Sequence, residues 1–416
     1  MPTAYLDYAA TAPVRPEVRR AMRPFLGESF GNPSSAHKLG AMAHEAMEAA
    51  RAAVAELLCA KPSGIVFTSG GTEAINLALL GVAQQRQTPG HLITSSIEHH
   101  ATLETARFLE RLGWAVTFLP VDSQGLIDPD EVRRAITSKT VLASVMHANN
   151  EVGTVEPIDE IAAITRERGV LLHVDAVQSV GKVRLPLGDI DLLSLSAHKL
   201  GGPKGIGALY VRPGVSLAPL IHGGGQEGGL RSGTENIAGI AGLGAAAQAV
   251  ARDAEAEQHR LTQLRDRLAD GIVYTTGGVR LNGPPTNRLP GFVHLTIEGL
   301  DGHWLVKELS RAGIYAATGS ACASGQTEPS HVLTAMGVAR ETAKGAIRLT
   351  LGWATTADDI RFAIQVVPQA VERLRSRRAS GDDLAAEYAR DCRTARQHVI
   401  GGLLTSAFSR LRRSIR

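Results

Sequence analysis

The 416-residue chain holds only three cysteines, Cys59, Cys322 and Cys392, too few and too far apart for a disulfide framework or a four-cysteine metal site. It has no apolar run near the ~18 residues that a membrane span needs. Its first residues, MPTAYLDYAATAP, have neither the basic nor the apolar region of a secretion signal. These absences make the cytoplasm the expected compartment, with no membrane span and no bound metal. Aromatic residues are scarce as well, at 4%, and no internal repeat is visible. Net charge is small, +3, but uneven. From Arg373 to Arg416 eleven arginines stand against four acids, so this tail carries +7 and the remainder −4.

What is present is an ordinary globular composition, 44% hydrophobic and 20% charged, in a chain long enough for two or three domains. Seven short apolar runs alternate with helix-like stretches: IVFT (65–68), HLIT (91–94), VTFL (116–119), VLASVM (141–146), VLLHV (170–174), LLSL (192–195) and IGALYV (206–211). That alternation predicts βα units wound into a large, mostly parallel sheet covered on both faces. Helices are expected over 73–86 and over 157–168, the latter opening on Pro157. A long helix is expected from Glu235 to about Ile272. Beyond it, FVHLTI (292–297), a helix near 302–311, AIRLTLG (346–352) and a helix from about 356 to 374 read as a smaller α+β unit. The expected division is a large domain over 15–255, a small domain from 1–14 and 256–378, and a basic tail over 379–416. Between Gly40 and Ala60, the residues Met42, Ala46, Ala49, Ala53 and Leu57 recur at helical spacing, so Cys59 reads as a buried structural thiol.

In doubly wound sheets ligands bind beyond the carboxyl ends of the strands. SGGTEA follows IVFT and offers Gly71 and Thr72 at a helix start, where backbone N–H groups and the helix dipole favour an anion. SSIEHH follows HLIT, with His99 and His100. HANNEVG follows VLASVM, with Asn149 and Asn150. Asp175 and Gln178 follow VLLHV, and Ser196, His198 and Lys199 follow LLSL. Each signal alone is weak. Together they provide what a phosphorylated pyridine aldehyde requires: an anion cradle, a flat group for its ring, a carboxylate for its ring nitrogen and a lysine for a Schiff base.

YLDYAATAP, FGNPSSAH, FTSGGTEAINLA, SIEHHA, MHANNEVGTVEPI, HVDAVQSVGK, SAHKLGGPKGIGALYV, HGGGQEGGLRSGTEN, GSACASG and IRLTLG occur in that order between residues 4 and 375. The chain thereby resembles the cysteine desulfurases of the class V aminotransferase superfamily, which use pyridoxal 5′-phosphate. The resemblance implies a fold type I α/β enzyme in which Lys199 carries the cofactor, Asp175 pairs with its ring nitrogen and Gln178 touches its ring hydroxyl. It implies further that His99 stacks on the ring and shuttles protons, and that Thr72, Ser196 and His198 bind the phosphate. Thr234 would join them from the second subunit of a homodimer. Asn150 and Arg348 would hold the carboxylate of L-cysteine, by the forked geometry that guanidinium favours. Cys322 would take the sulfur as a persulfide and pass it to an acceptor protein, in iron–sulfur cluster assembly, tRNA thiolation or DNA phosphorothioation.

The stretch from Cys322 to His331 matches the family's long-loop group, with Gly319 and Gly325 bracketing the thiol as hinges. Two departures stand out: ATAP puts Ala12 where relatives carry threonine, and ACAS replaces the commoner ACTS. Other members of the superfamily, such as a transaminase or a selenocysteine lyase, and a non-catalytic binding module with a relic site are the alternative readings. The tail lies outside the resemblance. In HVIGGLLTSAFSRLRRSIR the apolar residues fall on one helical face, as in a helix that docks on a partner, on nucleic acid or an anionic surface, or folds back on its own dimer.

Overall fold

A strand buried on both faces is mostly apolar, and the seven apolar runs form one seven-stranded sheet. The computed structural model describes residues 2–185, 187–319 and 329–380. In chain order the strands are β1 (Ala4–Tyr5), β2 (Ile65–Thr68), β3 (His91–Ser95), β4 (Ala115–Leu119), β5 (Thr140–Met146), β6 (Leu171–Asp175), β7 (Leu192–Ser196), β8 (Gly207–Val211), β9 (Val279–Leu281), β10 (Phe292–Ile297), β11 (Ile314–Tyr315) and β12 (Ala346–Thr350). The large sheet has the order β2-β8-β7-β6-β5-β3-β4. From β7 through β4 every pairing is parallel, and only β8 runs against its neighbours β2 and β7. The expected mostly parallel α/β sheet is therefore the one observed. β4 alone is half exposed, as an edge strand should be.

Strand side chains alternate between faces. Ile93, Ala143 and Leu193 point into one core, against the helices Lys38–Leu57, Ile158–Glu167 and the first half of Ile237–Thr275. Their neighbours Leu92, Leu142 and Leu192 point into the other, against Gly71–Gln84 and His100–Arg111. Pro157 caps the helix Ile158–Glu167 rather than opening it.

A second sheet, antiparallel in the order β12-β10-β9, carries its own core. Val293, Leu295, Ile347 and Leu349 pack there against the helices Gly302–Arg311 and Ala357–Ser380. Leu261, Leu268 and Ile272, from the far half of Ile237–Thr275, join this core, so one helix serves both. The N-terminal residues Ala4 and Leu6 also lie in it, and β1 pairs with β11. Among the described residues no helix is long and apolar enough to cross a membrane.

Cys59 corrects a sequence expectation. The buried face of the helix Lys38–Leu57 is Ala43, Met47, Ala50 and Val54, one position on from the face read off the sequence. The helix then ends, and Cys59 takes a left-handed backbone with φ 55°, which turns it outward to an exposed position. A terminating turn, and not helical periodicity, decides where this thiol points.

Candidate active site

The strand ends open into a cavity of about 300 Å³. Gly71, Thr72, His99, Asn150, Asp175, Gln178, Ser196, His198, Lys199 and Arg348 all line it. The parallel strands deliver most of these residues to one edge of the large sheet, and Arg348, 277 positions beyond Gly71, reaches the cavity from β12 of the second sheet.

Lys199 sits on a single turn after β7. Its ammonium donates to the carbonyl oxygens of Ala9 and of Ala10, the latter at 2.9 Å. The YAATAP segment therefore fixes the lysine, a role that sequence reading missed because backbone carbonyls carry no sequence signature. His198 pairs through Nδ1 with the Thr11 hydroxyl at 3.2 Å, and its carbonyl accepts the Ala12 N–H at 2.9 Å. The hydroxyl missing at Ala12 leaves that backbone bond intact. Burial, and then the neighbouring Lys199, Lys204 and Lys182, push His198 down to about 4.

Asp175 ends β6 and is buried, with Oδ1 accepting the Val177 N–H at 2.9 Å. Loss of water lifts its carboxyl to about 6, although the Val177 N–H and Lys199 pull the other way. A cationic ring nitrogen beside it would restore the carboxylate. His99 caps the helix His100–Arg111, and its Nδ1 accepts the Ala101 N–H at 3.1 Å. That bond assigns the proton of the neutral ring to Nε2. Burial first, then Lys199, His100 and His331, holds His99 near 4, so the ring is neutral at pH 7.

The helix Gly71–Gln84 begins at the cavity, and a Cβ on Gly71 would lie 2.7 Å from Val177 Cγ2. Only glycine lets the helix start nestle here, with its unbonded N–H groups at the cavity wall. On the opposite wall Arg348 donates from Nη1 to the Asn150 carbonyl at 2.9 Å and from Nη2 to Asp7 Oδ1 at 3.0 Å. Its Nε is buried with no hydrogen-bond partner among the described residues. Asp7 is a further residue that sequence reading did not find.

Three ionisable lining residues had no assigned role: Glu151, His100 and His331. The Glu151 carboxylate accepts the Ser330 hydroxyl at 2.5 Å, and the His100 and His331 rings lie 5.0 Å apart. Thr234 is exposed and does not line this cavity. Cys322, Gly325 and residues 381–416 of the tail lie outside the described residues. No cluster of potential metal ligands occurs among those described.

The donors present fit pyridoxal 5′-phosphate: a glycine cradle at a helix start, a buried carboxyl lifted for want of a cation, a flat neutral imidazole and a held lysine. Fold and site together define a fold type I pyridoxal-phosphate enzyme. The chain belongs to the aminotransferase class-V family, which matches residues 4–362. It is 48% identical to "Cysteine desulfurase IscS" of Dictyoglomus turgidum over 375 residues, 89% of this chain and 95% of that one. Among solved structures, a "NifS-like protein" superposes with a TM-score of 0.84 at 38% identity, covering 89% of this chain and all of the other. The structure titled "SspA in complex with cysteine" superposes with a TM-score of 0.75 at 41% identity, covering 84% and 99%.

Proposed function

We propose that the chain is a cysteine desulfurase that converts L-cysteine to L-alanine and loads the sulfur on Cys322 as a persulfide, for transfer to an acceptor protein. One observation carries this reading. Gly319 and His331, described residues on either side of the segment that bears Cys322, both line the cavity that Lys199 and Arg348 also line. Likeness to named cysteine desulfurases over nine-tenths of the chain supports it.

When bound, pyridoxal 5′-phosphate supplies a ring that takes up the electron pair left as the substrate Cα–H bond breaks. Gly71, Thr72, Ser196 and His198 are the residues to hold its phosphate, Asp175 its ring nitrogen and Gln178 its ring hydroxyl. Arg348, with its unpartnered Nε, and Asn150 orient the substrate carboxylate. Lys199 Nζ, kept in place by the Ala9 and Ala10 carbonyls, removes the Cα proton. His99 covers the ring and presents Nε2–H as a donor. The Cys322 thiolate then bonds to the substrate sulfur while the Cβ–S bond breaks. Cβ keeps that electron pair and takes a proton to become the alanine methyl, so the sum is L-cysteine plus thiol giving L-alanine plus persulfide.

Thr234, exposed and away from its own cavity, suits a contribution to the phosphate site of a second copy, and a homodimer is the assembly proposed. A thiol that must stay reduced between turnovers suits the cytoplasm.

Cys322→Ala and Lys199→Ala test the reading. The first should keep the yellow cofactor while losing alanine formation and the 32-Da persulfide adduct that mass spectrometry detects in the parent. The second should lose the colour. Alanine production undiminished in Cys322→Ala would sink the persulfide route.

A further inference from the structure

Lys182 is a half-buried lysine beside the site that the reaction leaves unused. It follows Gly181, whose φ of +70° and close approach to Val250 admit no side chain. That turn sends the Lys182 side chain back toward the site, where Nζ donates to Gln178 Oε1 at 3.4 Å and lies 5.8 Å from the centre of the Phe292 ring. Gln178 Nε2 in turn donates to the Ala9 carbonyl at 2.9 Å, the oxygen that also receives Lys199.

These contacts permit one orientation of the amide. A charged Lys182 donates and cannot accept, and the Ala9 carbonyl accepts whatever the charge of the lysine. A flipped Gln178 would set donor against donor and acceptor against acceptor. We propose that Lys182 is a positioning residue: by holding Gln178 Oε1 it keeps the Nε2 edge of the amide, beside Lys199, as a fixed donor for the anionic ring hydroxyl of the cofactor. The proposal rests on the reading of this cavity as a pyridoxal-phosphate site.

The groups that face Lys182 are Gln178, Lys199, His198, the Phe292 ring and, around a second cavity that both lysines line, Tyr8, Arg15, Asp253 and Glu257. Burial, then repulsion from Lys199, brings Lys182 down to about 7. A neutral amine still donates, so the hold on Gln178 survives deprotonation. The charge adds a second effect. A positive group near Lys199 disfavours protonation at the lysine–cofactor linkage, so removing it should raise the pH midpoint of the bound cofactor's absorbance change.

The test uses the full-length holoenzyme with Lys182→Met, Lys182→Arg, Gln178→Ala and the Met/Ala double variant. Two quantities are read: the dissociation constant of pyridoxal 5′-phosphate by equilibrium dialysis, and the midpoint of the visible pH titration. Lys182→Met should weaken binding by about fivefold to tenfold, the worth of one buried hydrogen bond, and raise the midpoint. Lys182→Arg should restore both, and the methionine should cost nothing further once Gln178 is alanine. Should the methionine variant fail to fold, Lys182→Gln takes its place; it keeps a donor without the charge, so binding should hold while the midpoint rises. Unchanged binding and midpoint in Lys182→Met, or an undiminished penalty in the Gln178→Ala background, overturns the proposal alone. Parental cofactor affinity in Gln178→Ala overturns it together with the assignment of Gln178 to the cofactor.

Discussion

Replacing Arg348 by lysine separates substrate recognition from cofactor chemistry. The guanidinium divides its donors: Nη1 to the Asn150 carbonyl, Nη2 to Asp7, and Nε to no described group. A lysine ammonium keeps the charge that Asp7 needs but not both bonds of this buried guanidinium, so the fold should lose about 1–3 kcal/mol. It cannot keep both of those bonds and still present a planar pair of N–H groups to a carboxylate. One charge-assisted hydrogen bond lost is worth about 1.5–3 kcal/mol, which predicts a fall in kcat/KM for L-cysteine of about tenfold to 150-fold, chiefly through KM. The bound cofactor, whose proposed holders are Lys199, Asp175 and the phosphate residues, should keep its absorbance. Alanine formation gives the kinetics, and cysteamine, which lacks the carboxylate, gives the control. Its binding, followed by the absorbance change it causes, should be the same in parent and variant. An equal loss with cysteamine, or less than a twofold change with cysteine, refutes the assignment of Arg348 to the substrate carboxylate.

Two further predictions concern the scaffold. Arg51 and Glu227 form a buried forked pair, with both oxygens of Glu227 at 2.8 Å from the guanidinium, and Glu227 also accepts the Phe67 N–H at 2.7 Å. Glu227→Gln should therefore cost about 3 kcal/mol in denaturant unfolding, because it leaves the buried Arg51 with only the exposed Glu48 as a charged partner, while the double change Arg51→Met with Glu227→Leu should recover part of it, the Phe67 N–H losing its acceptor; equal stabilities of the two variants would contradict this. His173 bridges Ser144 and Ser194 across three adjacent strands, each at 2.8 Å, and burial holds it near 3. The unfolded chain protonates this histidine near pH 6.5 and so binds more protons, so stability falls as pH drops from about 6.5 toward 3, by ~2 kcal/mol at pH 5 from this residue. His173→Gln, measured by unfolding from pH 8 to pH 4.5, should have a shallower acid slope; a parallel slope would rule the histidine out.

Much of the fold was legible because it depends on local pattern. IVFT and FVHLTI are strands over the residues expected, and the long helix runs Ile237–Thr275 against an expected start at Glu235. A strand that is covered on both faces is mostly apolar, and that bias is written in consecutive residues. Cys59 was misread because a backbone turn, and not the helical repeat, sets its direction. The Ala9 and Ala10 carbonyls on Lys199, Asp7 on Arg348 and Lys182 on Gln178 were not legible at all. The first three join segments 189 to 341 residues apart, the last joins two common polar side chains four residues apart on one loop, and nothing in the local pattern marks any of them.

The sequence by itself determined the alternation of strand and helix, and with it the row of strand ends that carries Thr72, His99, Asp175 and Lys199. Periodicity and turn chemistry act over a few residues and need no partner. Only the tertiary structure decided which protonation, tautomer and hydrogen-bond partner each of those groups has. The lift of Asp175, the neutral Nε2–H form of His99 and the restraint of Lys199 arise from lost water and from neighbours supplied by distant parts of the chain, and both exist only once the cavity has closed around them.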